Sequence, residues 1–311
     1  MNNTHQEDQP SSHAQSSKVS IAWWNTSLAP TGKSRKSAIL REHAADVLAY
    51  LLFTSQIDFV ALGEMSSEDL EYLRNDTRFE GYEFILGIDG TSKTQFDTGY
   101  IYNPQRLTIA DPVNLVSIKG KKNLRIAQNL QVLVNECQTI INLFVSHWPS
   151  LLWCNQFHAD RHVLGIRLRD AVDNLINEST DAPHIILLGD YNDEPFSQSL
   201  SEQLMATRDI TLVRAKPHLL YNPFWNLLGN GRCGTQTRGG SYYHSNGTST
   251  RWHTFDQIIY SHAFISANKW RLSNENNHLA DVPGLDKLVT SSKSKFDHLP
   301  VIGIIERIFT P

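Results

Sequence analysis

Two short apolar runs constrain this chain most. Residues 57–62 (IDFVAL) and 184–188 (HIILL) each have the length of a strand, and each leads into a glycine and an acidic residue, Gly63-Glu64 and Gly189-Asp190. Runs so short and so uniformly apolar suit strands covered on both faces, which a chain obtains by alternating strands with helices. The rest of the sequence supports this. Residues 19–25 are β-prone and end in a polar residue, and residues 35–53 carry Ile39, Val47, Leu48, Leu51 and Leu52 among charges, predicting an amphipathic helix. Ser66 or Ser67 is placed to cap a helix through Tyr72 and Leu73. Residues 82–86, 99–102, 107–118, 124–134 and 139–145 read as an antiparallel meander, and 154–176 as a helix with apolar positions three and four apart. Residues 216–254 have no steady period and read as a long loop region with short strands; residues 255–260 and 301–308 close the chain as strands, with 268–272 a weaker one.

Composition narrows the class. A chain of 311 residues with 40% hydrophobic content folds, and 28 Lys+Arg against 32 Asp+Glu argues against a nucleic-acid coat protein, so any polyanion contact must be local. Residues 2–17 are almost wholly polar, so residues 1–18 are expected to be a disordered tail and residues 19–311 a single α/β domain. Cys137, Cys154 and Cys233 form no C-x-x-C pair, which disfavours a disulfide scaffold or structural zinc. No apolar run reaches the roughly 18 residues of a membrane span. The start of the chain lacks a secretion-signal pattern, so a cytoplasmic protein is expected.

The chemistry gathers in five segments where an apolar stretch meets polar groups: Trp24-Asn25, Leu62-Gly63-Glu64, Val145-Ser146-His147, residues 187–193, and Phe296-Asp297-His298. Read as strand ends, they aim their groups at one sheet edge. Carboxylates and a carboxamide are hard oxygen ligands suited to Mg²⁺, and imidazoles beside them suit acid/base work or charge stabilisation at phosphorus. Metal-assisted phosphoester hydrolysis is the class this implies.

The ordered set Asn25, Glu64, Ser146-His147, Gly189-Asp190-Tyr191-Asn192, Asp256 within Phe255-Asp256-Gln257-Ile258, and Asp297-His298-Leu299-Pro300-Val301 resembles the endonuclease/exonuclease/phosphatase superfamily related to pancreatic deoxyribonuclease. The resemblance spans residues 19–308. It implies a four-layer αββα sandwich of two packed mixed sheets flanked by helices, hydrolysing phosphoesters with Mg²⁺, or Mn²⁺ in its place. It further implies Glu64 as the principal metal ligand, with Asn25 and Asp297 near the same ion. Asp190 would orient or deprotonate the attacking water and Asn192 would hold a phosphate oxygen. His298 would bind the scissile phosphate or act as base, with Asp256 accepting its ring N–H. His147 would face it, donating to phosphate or to the leaving group; the abasic-site branch has Tyr there, which argues against abasic-site repair.

Other segments keep two readings. On a strictly extended strand Asp190 and Asn192 share one face; taken alone they are a turn, as His147 alone is a satisfied core histidine. Residues 30–34 (PTGKS) fail as a Walker loop because Ser27 stands where its first Gly is required, leaving Lys33, Arg35 and Lys36 as a basic loop. Lys119, Lys121 and Lys122 read as a solvated hairpin tip, whereas the resemblance implies Arg125 near the phosphate. His158 and His162 lack a third metal ligand and lie on a helix surface, with Arg161 expected to face the site. The aromatic loop with Tyr221, Trp225, Tyr242, Tyr243, His244 and Trp252 either stacks bases, covers a lipid head group or forms its own small core. The expected activity is a nuclease on DNA or RNA. The alternatives are a phosphatase or phosphodiesterase of a small or lipid-borne phosphate, and a catalytically silent binding module.

Overall fold

The computed structural model describes residues 16–28, 38–88, 96–155, 157–229, 238–266, 269–273 and 277–308. The basic loop expected around Lys33, Arg35 and Lys36, and Cys233, lie outside the described residues. In chain order the strands are β1 (Ser16–Asn25), β2 (Phe59–Gly63), β3 (Glu83–Leu86), β4 (Gly99–Tyr102), β5 (Leu107–Ile109), β6 (Val113–Lys119), β7 (Lys122–Val134), β8 (Thr139–His147), β9 (His184–Asp190), β10 (Ala206–Thr207), β11 (Leu220–Tyr221), β12 (Tyr242–Tyr243), β13 (Trp252–His253), β14 (Asp256–Tyr260), β15 (Trp270–Leu272), β16 (His278–Leu279) and β17 (Val301–Ile308). The α-helices are α1 (Ala38–Ala49), α2 (Ser67–Arg74), α3 (Ala159–Glu178), α4 (Ile210–Ala215) and α5 (Leu285–Val289).

The strands form two mixed sheets. One runs β15-β17-β1-β2-β4-β3, with β16 also on β17; the other runs β10-β11-β14-β9-β8-β7-β5, with β6 also on β7. The pairs β1–β2 and β8–β9 are parallel, while β17, β4 and β14 run antiparallel to their neighbours β1, β2 and β9. The expected meander is therefore split: β3 and β4 join the first sheet, and β5 to β8 the second.

Alternation along each strand builds the layers. In β1, Val19, Ile21 and Trp23 enter the core between the sheets, whereas Ala22 and Trp24 face the core under α1, α2 and α5. In β9, Ile186 and Leu188 point inward, and Ile185 and Leu187 pack against α3 through Leu164, Leu168 and Val172. Both faces of the central strands are thus covered, which is why their sequences are apolar without alternation. The layer order is helices, sheet, sheet, helix, as expected.

Three boundaries differ from the sequence reading. Ser16 to Lys18 are not tail but the first residues of β1, paired with Glu306 to Ile308 of β17. Helix α3 begins at Ala159, because residues 150–154 make a tight turn and the His158 imidazole accepts from the Asp160 N–H at 3.1 Å, capping the helix there. Asp297-His298 does not end a strand; it precedes β17.

Candidate active site

The site is where the inward-facing rows of both sheets change from apolar to polar. Residues two apart on a strand share a face, so Asn25 continues the row of Trp23, His147 that of Val145, Asp190 that of Leu188, and Asp256 that of Ile258. Register aligns these ends. His147 pairs with Asp190 and Asp190 with Asp256 across β8, β9 and β14, and Asn25 pairs with Gly63 across β1 and β2.

Local sequence holds each group in place. Glu64 has φ +52°, a left-handed turn that takes the chain out of β2. It is fixed two residues later by a capping box in which Ser66 Oγ accepts from Asp69 N–H at 3.2 Å and Asp69 Oδ2 accepts from Ser66 N–H at 3.1 Å. Gly189 has φ +150°, and any Cβ there would lie 1.8 Å from the Ser146 carbonyl oxygen, so only glycine lets β8 and β9 close beneath His147 and Asp190. Asn192 does not continue an extended strand: its φ is +48°, its N–H donates to Asp190 Oδ1 at 2.8 Å and its Nδ2 to the Trp148 carbonyl at 3.0 Å. Asp190 and Asn192 are joined by a turn rather than by strand alternation.

Two imidazole–carboxylate pairs converge on Asp190. His298 Nδ1 lies 2.7 Å from Asp256 Oδ2, and the other Asp256 oxygen accepts from the Trp23 indole at 2.7 Å, which ties the sheets together. His147 Nδ1 lies 2.9 Å from Asp97 Oδ1. The free Nε2 atoms then stand 3.8 Å (His298) and 4.0 Å (His147) from Asp190 Oδ2. Burial by itself disfavours the imidazolium, but Asp256, Asp297 and Asp190 outweigh it and push His298 up to about 10, and Asp97, Asp190 and Glu64 push His147 up to about 9. Burial raises the Glu64 carboxyl against the pull of both imidazoles, and burial together with Asp256 raises Asp190.

The oxygen donors gather beside these pairs. Asn25 Nδ2 lies 3.2 Å from both Glu64 Oε1 and Asp190 Oδ2, and Ser27 Oγ donates to Asp297 Oδ1 at 2.7 Å. Asp297 Oδ1 is 3.9 Å from His298 Nε2. Among the described residues, Asp190, Asp256 and His298 place ligand atoms within 4.8 Å of one another. We do not read that trio as a cation cage, because both Asp256 oxygens already accept hydrogen bonds. Glu64 and Asp297 fit a hard divalent cation better: they are oxygen ligands amid a surplus of carboxylates, and a cation there would relieve the burial cost of Glu64, with Asn25 beside them turning its Nδ2 to Glu64 and its Oδ1 to the Ser27 N–H at 3.1 Å.

Not every expected residue belongs. Arg161 is a correction. It is 1% exposed and donates to the carbonyls of Tyr191, Pro149 and Cys154 at 3.0, 2.6 and 2.6 Å, with Asp193 Oδ2 3.6 Å from its Nε. It braces the loops behind the site rather than meeting a substrate. Trp252 is half-buried, packing 5.0 Å from the Tyr243 ring and against the helix-side core within the small β12–β13 hairpin. Arg125 stays beside the site, with Nη1 3.5 Å from Asp97 Oδ1. His162 faces Gln203.

Two participants were missed: Asp97 orients His147, and Ser27 holds Asp297. Tyr242, read from the sequence as part of the aromatic loop, lies 4.7 Å from the His298 ring. Asp97 precedes β4, which runs antiparallel to β2, so the start of β4 reaches the edge where β2 ends. A search confined to residues following apolar runs passes over it, and the signal was the Asp-Thr-Gly before Tyr100.

Residues 34–289 match the sequence profile of the Endonuclease/Exonuclease/phosphatase family. No curated protein sequence matches the chain. Among solved structures, an endonuclease/exonuclease/phosphatase family protein from Bacteroides thetaiotaomicron is similar with a TM-score of 0.61 at 12% identity, covering 95% of this chain and 100% of that one. TDP2 of D. rerio, complexed with single strand DNA product, gives 0.58 at 20% identity over 93% and 99%. A mannosyl-6-phosphatase of Bacteroides thetaiotaomicron VPI-5482 gives 0.59 at 13% over 92% and 99%.

Proposed function

Given that the chain belongs to the endonuclease/exonuclease/phosphatase family of phosphoester hydrolases, we propose that it is a divalent-metal-dependent phosphodiesterase acting on nucleic acid. The observation that carries this reading is the pair of carboxylate-backed imidazoles aimed from two sides at Asp190. With Nδ1 held by Asp256 and Asp97, each ring presents Nε2–H to one space, where two phosphoryl oxygens can receive it. Asp190 is fixed through the Asn192 N–H and the Asn25 amide, and its raised carboxyl makes it a stronger proton acceptor for an attacking water. His147, backed by Asp97, is the group placed to return a proton to the leaving oxygen. A Mg²⁺ ion, or Mn²⁺, held by Glu64 and Asp297 with Asn25, would neutralise charge on the phosphoryl group.

The choice of nucleic acid rests on Arg125 beside His147 and on the fold shared with a DNA-bound TDP2. The fold shared with a mannosyl-6-phosphatase favours one alternative, a small phosphomonoester. Purified protein incubated with single-stranded DNA, duplex DNA, RNA and a sugar phosphate, with Mg²⁺ or chelator, tests both. Metal-dependent strand cleavage that falls at least about 100-fold in Glu64→Ala and Asp190→Ala is expected; release of inorganic phosphate from the sugar phosphate alone overturns the nuclease reading.

A further inference from the structure

The loop that leaves the site carries large apolar groups into solvent. From His147 the chain passes through Trp148, whose N–H donates to the Asp190 carbonyl at 2.9 Å, and then exposes Leu152 (88%), Trp153 (81%) and Phe157 (82%). Nothing in the fold requires them there, since exposed rings gain no burial. The loop itself is held firmly: Trp153 and Cys154 N–H both bond the Ser150 carbonyl at 3.0 Å, Cys154 is buried, and Arg161 grips the Pro149 and Cys154 carbonyls. It is therefore a braced display rather than a slack end.

The β6–β7 hairpin lies alongside. Its two-residue turn, Gly120-Lys121, has Gly120 at φ +62°, and it brings Lys119 and Lys122 onto the two oxygens of Asp160 at the start of α3, just past Phe157. The hairpin lysines are thus tied to a residue three positions past Phe157, at the end of the loop that starts from His147. Trp153 is six residues from His147, within about 20 Å by chain length.

We propose that Trp153 and Phe157, with Lys119, Lys121 and Lys122 beside them, hold unpaired bases of a single-stranded polynucleotide whose scissile phosphate lies between His147 and His298. The inference rests on the phosphodiesterase reading and names its substrate class. Each nucleotide offers one base face and one phosphate, which match a ring and a cation; a duplex hides its base faces in the stack and offers only the phosphates. Continuity with the site makes the molecule on the platform the same one whose phosphate is cleaved.

The test measures binding of a fluorescent single-stranded oligonucleotide in chelator, where no cleavage occurs, for the wild type, Trp153→Ala, Phe157→Ala and Lys121→Gln. Unchanged thermal midpoints confirm folding of these surface variants. Each aromatic change is expected to weaken binding about 10-fold with little effect on duplex binding, and Lys121→Gln to lower the logarithmic salt slope by about one. Equal single-strand binding by wild type and both aromatic variants overturns the platform, as does wild-type binding to anionic vesicles without binding to the oligonucleotide. Wild-type hydrolysis of bis(4-nitrophenyl) phosphate with Mg²⁺ is read separately. Turnover there alongside a failed platform leaves the phosphodiesterase standing; no turnover of dye or strand overturns the phosphodiesterase itself.

Discussion

His298 is buried and His147 largely so, and burial alone would push each imidazole toward its neutral form. Each instead has a carboxylate at hydrogen-bond distance on Nδ1 and Asp190 within 4.0 Å of Nε2, and the charged form wins. Asp97 is the decisive partner for His147. Asp97→Asn is expected to move the His147 pKa down from about 9 toward the ordinary imidazole value, read by NMR titration of the metal-free protein; a value still near 9 would mean that Asp190 and Glu64 suffice. Asp97 itself is held below the usual carboxylate range: burial raises it, but His147 and Arg125 together outweigh burial.

Elements matter here chiefly through what braces their ends. Helix α3 starts at the His158 cap, and Arg161 from its first turn closes the loop before it by satisfying the Pro149 and Cys154 carbonyls while bonding the Tyr191 carbonyl beyond β9. Arg161→Met removes these bonds and leaves the Asp193 carboxylate, whose pKa burial pushes to about 6 despite Arg161, without its cation. Unfolding in urea is expected to show a loss of about 3–5 kcal/mol, as for buried pairs broken on one side. Arg161→Met combined with Asp193→Asn is expected to recover part of that loss; a fully additive double variant would mean that the two groups are not coupled.

Across the whole molecule, the sandwich sets carboxylates Glu64, Asp97, Asp190, Asp256 and Asp297 around two imidazoles at one edge, and this links stability to pH. Both histidines have folded pKa values raised above the unfolded 6.5, to about 9 and about 10. The folded state therefore keeps protons that the unfolded state has released. Their contribution is fully present below pH 6.5 and disappears as the pH rises through about 9 to 10. The thermal midpoint of the chelated protein is expected to fall over that range, and to fall less in His298→Gln; a flat profile in the wild type would show that the histidines are not charged in the fold. No helix among the described residues is long and apolar enough to cross a membrane.

What the sequence determined by itself was the alternation of buried strands with helices, and the identities of the groups that end β1, β8 and β9 and that follow β2. Those features are local: an apolar run covered on two faces is uniformly apolar, and a polar group directly after it has little freedom. Asp256 was legible only as a motif member, and Asp297-His298 was read as a strand end although it precedes β17, because both stand where strands begin, and which end of a strand meets the site depends on whether it runs parallel or antiparallel to its neighbour. Asp97 was missed for the same reason. The burial of Arg161, the packing of Trp252 and the pairing of Lys119 and Lys122 with Asp160 were decided by tertiary structure alone, since the direction of a side chain at a helix start or in a loop follows from what packs beside it and not from its neighbours in sequence.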